Sequence, residues 1–247
     1  AIEDATVLKA IAVKTGIENS AVMTEKYFFR NEGESDTPVM VDEYYEIGNA
    51  DQLMWYLELI RGSGDEQNAA AKAKLVNDIN MTGRILPGNS TKDFTGEFDG
   101  NGHKIYNLSV KYEGNDRTLF GDNYGVIKNL TVDFGTAAPS SNRFGILCGY
   151  NYGTIENCNT KGNLTVSQND ARYIGGICGF NKGTITKCSH EGDITATAGN
   201  IIGGIAGTNQ GTIEWCYNRG SIFADTRPWL TYSIGGIAGQ NILSGSV

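Results

Sequence analysis

The sequence predicts an all-β protein, a right-handed parallel β-helix with an N-terminal helix-containing cap. Three observations carry that reading. The 247 residues hold 33 glycines but only 4 prolines, and 9 of the glycines lie in residues 1–100 against 24 in 101–247. A hexamer, Gly153-Thr154-Ile155-Glu156-Asn157-Cys158, returns as Gly183-Thr184-Ile185-Thr186-Lys187-Cys188 and as Gly211-Thr212-Ile213-Glu214-Trp215-Cys216, at spacings of 30 and 28 residues. Between copies lie only short β-type runs punctuated by glycine or asparagine. Self-similarity at such a period means stacked supersecondary units, none of which can bury a face alone.

Taken in order, residues 1–43 form a mixed N-terminal segment, with a helix expected at Ala5–Lys14 and a strand at Lys26–Phe29. Residues 44–93 form a capping segment. Asn49, with Gln52 three residues on and Leu53, Leu57 and Ile60 at helical spacing, predicts a short capped amphipathic helix ending near Gly62. Ala69–Lys74 reads as another turn or two of helix, and Leu75–Ile79 as extended chain. Residues 94–247 are the β-helix repeats. Asp99-Gly100-Asn101-Gly102 is a tight-turn signal between strands, and it lacks the twelve-residue ligand pattern of a calcium loop.

Within the repeats, equivalent residues should form columns along the stack. Leu130, Cys158, Cys188 and Cys216 form one, and the leucine marks it as inward. Ile127, Ile155, Ile185 and Ile213 form a second. Buried cysteine packs as a small hydrophobe, and in-register parallel side chains point the wrong way for a disulfide, so free thiols are expected. The phrases Gly145-Ile146-Leu147-Cys148-Gly149, Gly175-Gly176-Ile177-Cys178-Gly179, Gly203-Gly204-Ile205-Ala206-Gly207 and Gly235-Gly236-Ile237-Ala238-Gly239 precede the hexamer positions. Strict alternation cannot turn both apolar residues of such a phrase inward. Either the glycines bend the strand, or one apolar column faces outward beneath a covering segment.

Composition excludes several classes. The net charge of -8 and the lack of a Lys/Arg cluster argue against a nucleic-acid partner, and no apolar run is long enough to insert into a membrane as a helix. Five cysteines without a Cys-x-x-Cys pair fit neither a disulfide framework nor a zinc site, and no cofactor or metal is expected. The C-terminus carries no cap of its own, which suggests that coils continue in a longer chain.

Phe94-Thr95-Gly96-Glu97-Phe98-Asp99-Gly100-Asn101-Gly102-His103-Lys104-Ile105-Tyr106-Asn107-Leu108 resembles the entry segment of GLUG-motif repeat proteins of bacterial surfaces. The Gly-Gly-Ile-Ala-Gly-x-Asn and Gly-Thr-Ile-x-x-Cys phrases are similar to that family's repeats, and Tyr45–Ile79 looks like the segment preceding them. The resemblance covers about residues 44–247. It implies an extracellular, secreted or cell-surface module, since such repeats occur in adhesins and in stalks of immunoglobulin A-cleaving metallopeptidases. The peptidase's His-Glu-x-x-His motif is missing from this sequence, so that activity is not implied.

Parallel β-helices also serve as polysaccharide lyases and hydrolases. Glu156 and Glu214 would stand two coils apart, about 10 Å, at the wide limit for an inverting carboxylate pair; glutamates on an exposed strand face are more commonly solvating charges. His103 follows a turn and His190 is read as a loop residue, neither beside a nucleophile. Thr154, Thr184 and Thr212 form an outward column, but an ice-binding plane would need a second threonine column where this chain places charge.

Binding is favoured by the loops. Repeat length varies only between the last strand of one coil and the next glycine phrase, at 136–143, 167–173, 197–200 and 225–232, which sets these insertions on one edge. Arg143, Arg172, Tyr173, Arg227, Trp229 and Tyr232 lie there, and these residue types are enriched at interface hot spots and suit sugar stacking. The expected protein is a non-enzymatic binding, adhesin or stalk module whose partner is a host surface or secreted protein, or a glycan. The alternative is a β-helical carbohydrate-active enzyme.

Overall fold

Runs of two to eight residues between glycine turns are too short to bury a face alone, and in the computed structural model those of the repeats pair in parallel with their copies one coil along. The structure describes residues 37–61, 67–86, 93–108, 118–138, 142–166, 172–197, 201–224 and 233–242, and the backbone of Thr6–Ala10 and Met23–Tyr27. The chain divides into two units, Ala1–Asp36 and Thr37–Val247.

In the first unit, Thr6–Ala10 pairs antiparallel with Met23–Tyr27 over five residues. This corrects the helix expected at Ala5–Lys14, because a partner strand overrides the helix propensity of alanine and lysine. The strand expected at Lys26–Phe29 overlaps Met23–Tyr27 at two positions; residues 28 and 29 lie outside the described residues.

The second unit is an all-β parallel solenoid. Four sheets run along it. The first stacks Arg143–Phe144, Tyr173–Gly175, Ile201–Gly203 and Ser233–Gly235. The second stacks Cys148–Asn151, Cys178–Asn181, Ala206–Asn209 and Ala238–Asn241. The third begins at Tyr44–Ile47 and continues through Lys72–Leu75, Glu97–Asp99, Val126–Lys128, Thr154–Glu156 and Thr184–Thr186 to Thr212–Glu214. The fourth contains Ile79–Asn80, Lys104–Tyr106, Thr131–Ala137, Asn159–Val166, Ser189–Glu191 and Tyr217–Asn218. Val39–Val41 closes the third sheet as an antiparallel edge on Tyr44–Ile47.

The helix forms at Ala50–Arg61. Asn49 Oδ1 accepts the Gln52 N–H at 2.9 Å, and Gln52 Oε1 accepts the Gly48 N–H at 2.8 Å, the reciprocal cap read from the sequence. Leu53, Tyr56, Leu57 and Ile60 are fully buried and share the core with the inward strand residues. Tyr56 meets Phe98 at 5.7 Å, and Phe98 meets Phe120 at 4.9 Å. The second helical stretch does not exist. Ala69 and Ala70 turn, and Lys72–Leu75 is a strand whose Ala73 and Leu75 are buried, since pairing with Tyr44–Ile47 outweighs alanine's preference. The extended stretch at Leu75–Ile79 is broken by a bend at Val76 and Asn77, where the chain passes from the third sheet to the fourth. Asp99–Gly102 turns as expected, with Asn101 and Gly102 at φ 51° and 80°, but it is a corner between two sheets rather than a hairpin.

Ile127, Ile155 and Ile185 stack in register at zero exposure, with Ile213 next in line. Cys158 and Cys188 are buried, Cys216 is half-buried, and all five cysteines are free thiols. Ile177 and Cys178 are both fully buried, as are Ile205 and Ala206, because the chain bends at Gly176 and Ile177 and at Gly204 and Ile205. The glycines bend the strand, and the covering segment is not needed. At Gly175 a Cβ would stand 2.2 Å from the Cys178 carbonyl oxygen, so the reason for glycine there is close backbone approach. Positive φ belongs elsewhere: the corner after the third sheet holds Asn129, Asn157, Lys187 and Trp215 at 51–56°.

Candidate functional site

Two strands deliver the site. In the first sheet, alternation buries Phe144 and Ile174 and leaves Arg143 and Tyr173 half-exposed, stacked as register partners. The second sheet stacks Tyr150 on Phe180, with ring centroids 5.3 Å apart. Tyr173 meets Phe180 edge-on at 5.5 Å, so the two sheets share one aromatic surface. Just past the second sheet, Tyr124 and Tyr152 stack nearly parallel at 4.4 Å, and Tyr152 lies 5.5 Å from Tyr150. Tyr124 is 46% exposed.

Cations decorate these rings. The Arg143 guanidinium lies 4.2 Å from the Tyr150 ring centre and donates to its hydroxyl at 3.2 Å. Lys182 Nζ lies 5.3 Å from the Tyr152 ring and 5.6 Å from the Phe180 ring, within the range of cation–π attraction. Asp122 is present too, its Oδ1 accepting the Tyr150 N–H at 2.9 Å.

The surface therefore gathers Arg143 and Tyr173, and Arg172 adjoins it as the exposed residue preceding Tyr173. Arg227, Trp229 and Tyr232 lie outside the described residues. Anchors mark the loop edge: Val166, Ala196 and Ala224 stack where three insertions leave, Tyr173, Ile201 and Ser233 stack where they return, and Arg143 precedes them in the same column at the end of the 136–143 insertion. Sequence reasoning missed Tyr124, Tyr150, Tyr152, Phe180 and Lys182. Their signal was the same period read one and three residues before the hexamer glycine, which gives Tyr124, Tyr152 and Lys182 in one column and Tyr150 and Phe180 in another.

The other candidates separate. Glu156 and Glu214 stand two rungs apart with Thr186 between them, and Glu156 is bound by Lys187 at 3.0 Å. Cys158 and Cys188 donate weakly to main-chain carbonyls, and Cys188 has its thiol pushed up by the Cys158 thiol beside it, then by burial, which suits packing rather than reactivity. His190 is not a loop residue. It lies in the strand Ser189–Glu191 at zero exposure, with Nδ1 3.0 Å from Thr160 Oγ1. Burial depresses its pKa to about 4. The reason is columnar: Thr160, His190 and Asn218 share one inward position, which the short polar side chain of Thr160 leaves room to fill. Among the described residues, no cluster of three His, Cys, Asp or Glu could hold a metal ion. At the corner between the third and fourth sheets is a groove of about 270 Å³, lined by Asn157, Asn159, Lys187, Ser189 and Tyr217 among others.

With this geometry in hand, two known proteins are similar. A crystal structure of a candidate immunoglobulin A1 protease from Bacteroides ovatus superposes with a TM-score of 0.57 at 26% identity, covering 81% of this chain and 62% of that one. Halomucin from Haloquadratum walsbyi is 40% identical over 83 residues, which is 31% of this chain and 1% of halomucin. The chain thus spans a small fraction of halomucin and under two thirds of the Bacteroides chain. No family model matches it. The solenoid is shared with the solved structure, and both likenesses are consistent with a surface protein.

Proposed function

We propose that the chain is a non-enzymatic binding or stalk module of an extracellular bacterial surface or secreted protein, built from GLUG-type repeats, with an adhesin's role toward a host protein or glycan. Its mechanism is presentation: a stack of hydrogen-bonded coils holds a fixed surface and its edge loops out from the cell. The observation that carries this reading is the convergence of Arg143, Tyr150, Tyr173, Phe180 and Lys182 on one face, beside the edge where the insertions return. Aromatic rings and arginine are the side chains that dominate contact energies. Similarity to halomucin and to the Bacteroides protein supports the surface setting. The competing enzyme reading needs two free carboxylates across a cleft, and Glu156 is engaged by Lys187.

The test combines host-protein pull-down and a glycan array with a polysaccharide depolymerisation assay. The expected result is capture without depolymerisation, weakened by joint replacement of Arg172, Trp229 and Tyr232 with alanine while circular dichroism stays unchanged. Depolymerisation, or capture indifferent to those substitutions, contradicts the reading.

A further inference from the structure

Lys182 differs from every other described lysine. Lys72, Lys74, Lys104, Lys128, Lys161 and Lys187 each have a carboxylate oxygen between 2.6 and 3.7 Å away. Lys182 has none among the described residues, and its ammonium is held against the Tyr152 and Phe180 rings instead. The arginines repeat the contrast. Arg84 pairs with Asp51 at 2.7 Å and Arg219 with Glu191 at 3.4 Å, whereas exposed Arg172 makes no ion pair among the described residues. Among the described residues of a chain of net charge -8, Lys182 lies on the aromatic surface without an acid, and Arg172 stands at its edge, next to Tyr173.

The surface has dimensions that suit a chain ligand. Tyr124, Tyr152 and Lys182 occupy equivalent positions on three successive coils, so their row extends about 10 Å along the axis. Tyr150 and Phe180 form a second row alongside it, and Arg143 and Tyr173 a third. Arg143 covers Tyr150, Lys182 and Tyr124 cover Tyr152, and Phe180 is buried, so the ring open to the apolar C–H face of a pyranose is Tyr124, 46% exposed, with the edges of Tyr152 and Tyr150 beside it. Asp122 and the tyrosine hydroxyls can accept from or donate to sugar hydroxyls. The unmatched ammonium and guanidinium call for carboxylate.

We propose that this surface binds an acidic glycan, with a sugar ring lying on Tyr124 against the edges of Tyr152 and Tyr150, a uronate or sialate carboxylate meeting Lys182, and Arg172 at the margin beside Tyr173. This rests on the binding-module reading and names the ligand class of the same face.

The experiment is isothermal titration of the whole chain with oligogalacturonate, a hyaluronan oligosaccharide and oligosialic acid, each beside its methyl-esterified form. Binding of at least one acidic form is expected. It should weaken tenfold or more on esterification, on Lys182→Ala and on Tyr152→Ala, and with rising salt. Trp215→Ala, at the corner after the third sheet, should leave it unchanged. Where Tyr152→Ala fails to fold, Tyr152→Leu keeps the packing and removes the ring. The proposal is overturned if none of the three acids binds, if esters bind equally, or if binding ignores Lys182 and Tyr152. Failure here together with capture of another partner by the same face would sink the ligand class and leave the binding-module reading standing.

Discussion

The Asn151 amide donates to Asn181 Oδ1 at 2.8 Å, one coil along, and both side chains are fully buried. The same bond runs from Asn123 to Asn151 at 2.7 Å, from Asn181 to Asn209 at 2.8 Å and from Asn209 to Asn241 at 2.9 Å. This ladder stands at the corner between the second and third sheets, immediately beneath the tyrosine row. Asn181 also donates to the Gly183 and Thr212 carbonyls, at 3.2 Å each.

Replacing Asn181 with alanine should therefore cost about 2–4 kcal/mol, because buried partners on both neighbouring coils lose a bond. Asn241→Ala, at the exposed end of the ladder, should cost less than about 1 kcal/mol. Urea unfolding of the two variants checks this; equal costs would mean that the ladder is not what ties the coils together.

His190 makes stability depend on pH in a defined direction. Its pKa falls from 6.5 to about 4 on folding, chiefly through burial, so the unfolded chain binds the proton first. Stability linked to this group is complete above pH 6.5 and is lost as pH falls from 6.5 to about 4, with a total of roughly 3 kcal/mol. Glu97 and Glu191, held below their usual range chiefly by Lys128 and Lys161, lose their contributions as pH falls through their lowered values. Comparing wild type with His190→Gln isolates the histidine: the variant should melt with a shallower slope between pH 6.5 and 4. Parallel melting curves would contradict the assignment.

The thiols should be free and unequally reachable. Alkylation of the denatured, unreduced chain should add five labels, and native labelling should reach half-buried Cys216 before the four buried cysteines. Recovery of only three labels without reductant would show a disulfide that the register of the columns does not provide for.

Trp215 is 80% exposed and sits at φ 56°, a backbone region that costs most side chains roughly 1–2 kcal/mol. Trp215→Asn, matching Asn157 and Asn129 two and three coils back, should raise stability by about 1 kcal/mol in the same unfolding assay. A loss instead would mean that the indole contributes packing.

Much of this architecture was legible in the sequence. Glycine spacing gave the coils, the isoleucine column gave the core, and Asn49 with Gln52 gave the helix cap. Failures came where long-range pairing decides the outcome. Thr6–Ala10 and Lys72–Leu75 carry helix-forming residues, and only a partner strand makes them extended. His190 was misread because its burial depends on Thr160 one coil before it, thirty residues away in the chain. The aromatic surface was half visible: Arg143, Arg172 and Tyr173 stood out as loop-edge residues, but Tyr150, Phe180 and Lys182 become neighbours only once the two sheets fold against each other.

The most direct test of the central claim is hydroxyl-radical footprinting of the chain with its captured partner. The account predicts that Tyr124, Tyr150 and Tyr152 become protected while Trp215 and Tyr217, at the corner between the third and fourth sheets, stay reactive. Protection of Trp215 and Tyr217 with the three tyrosines unchanged would place the contact surface elsewhere and contradict it.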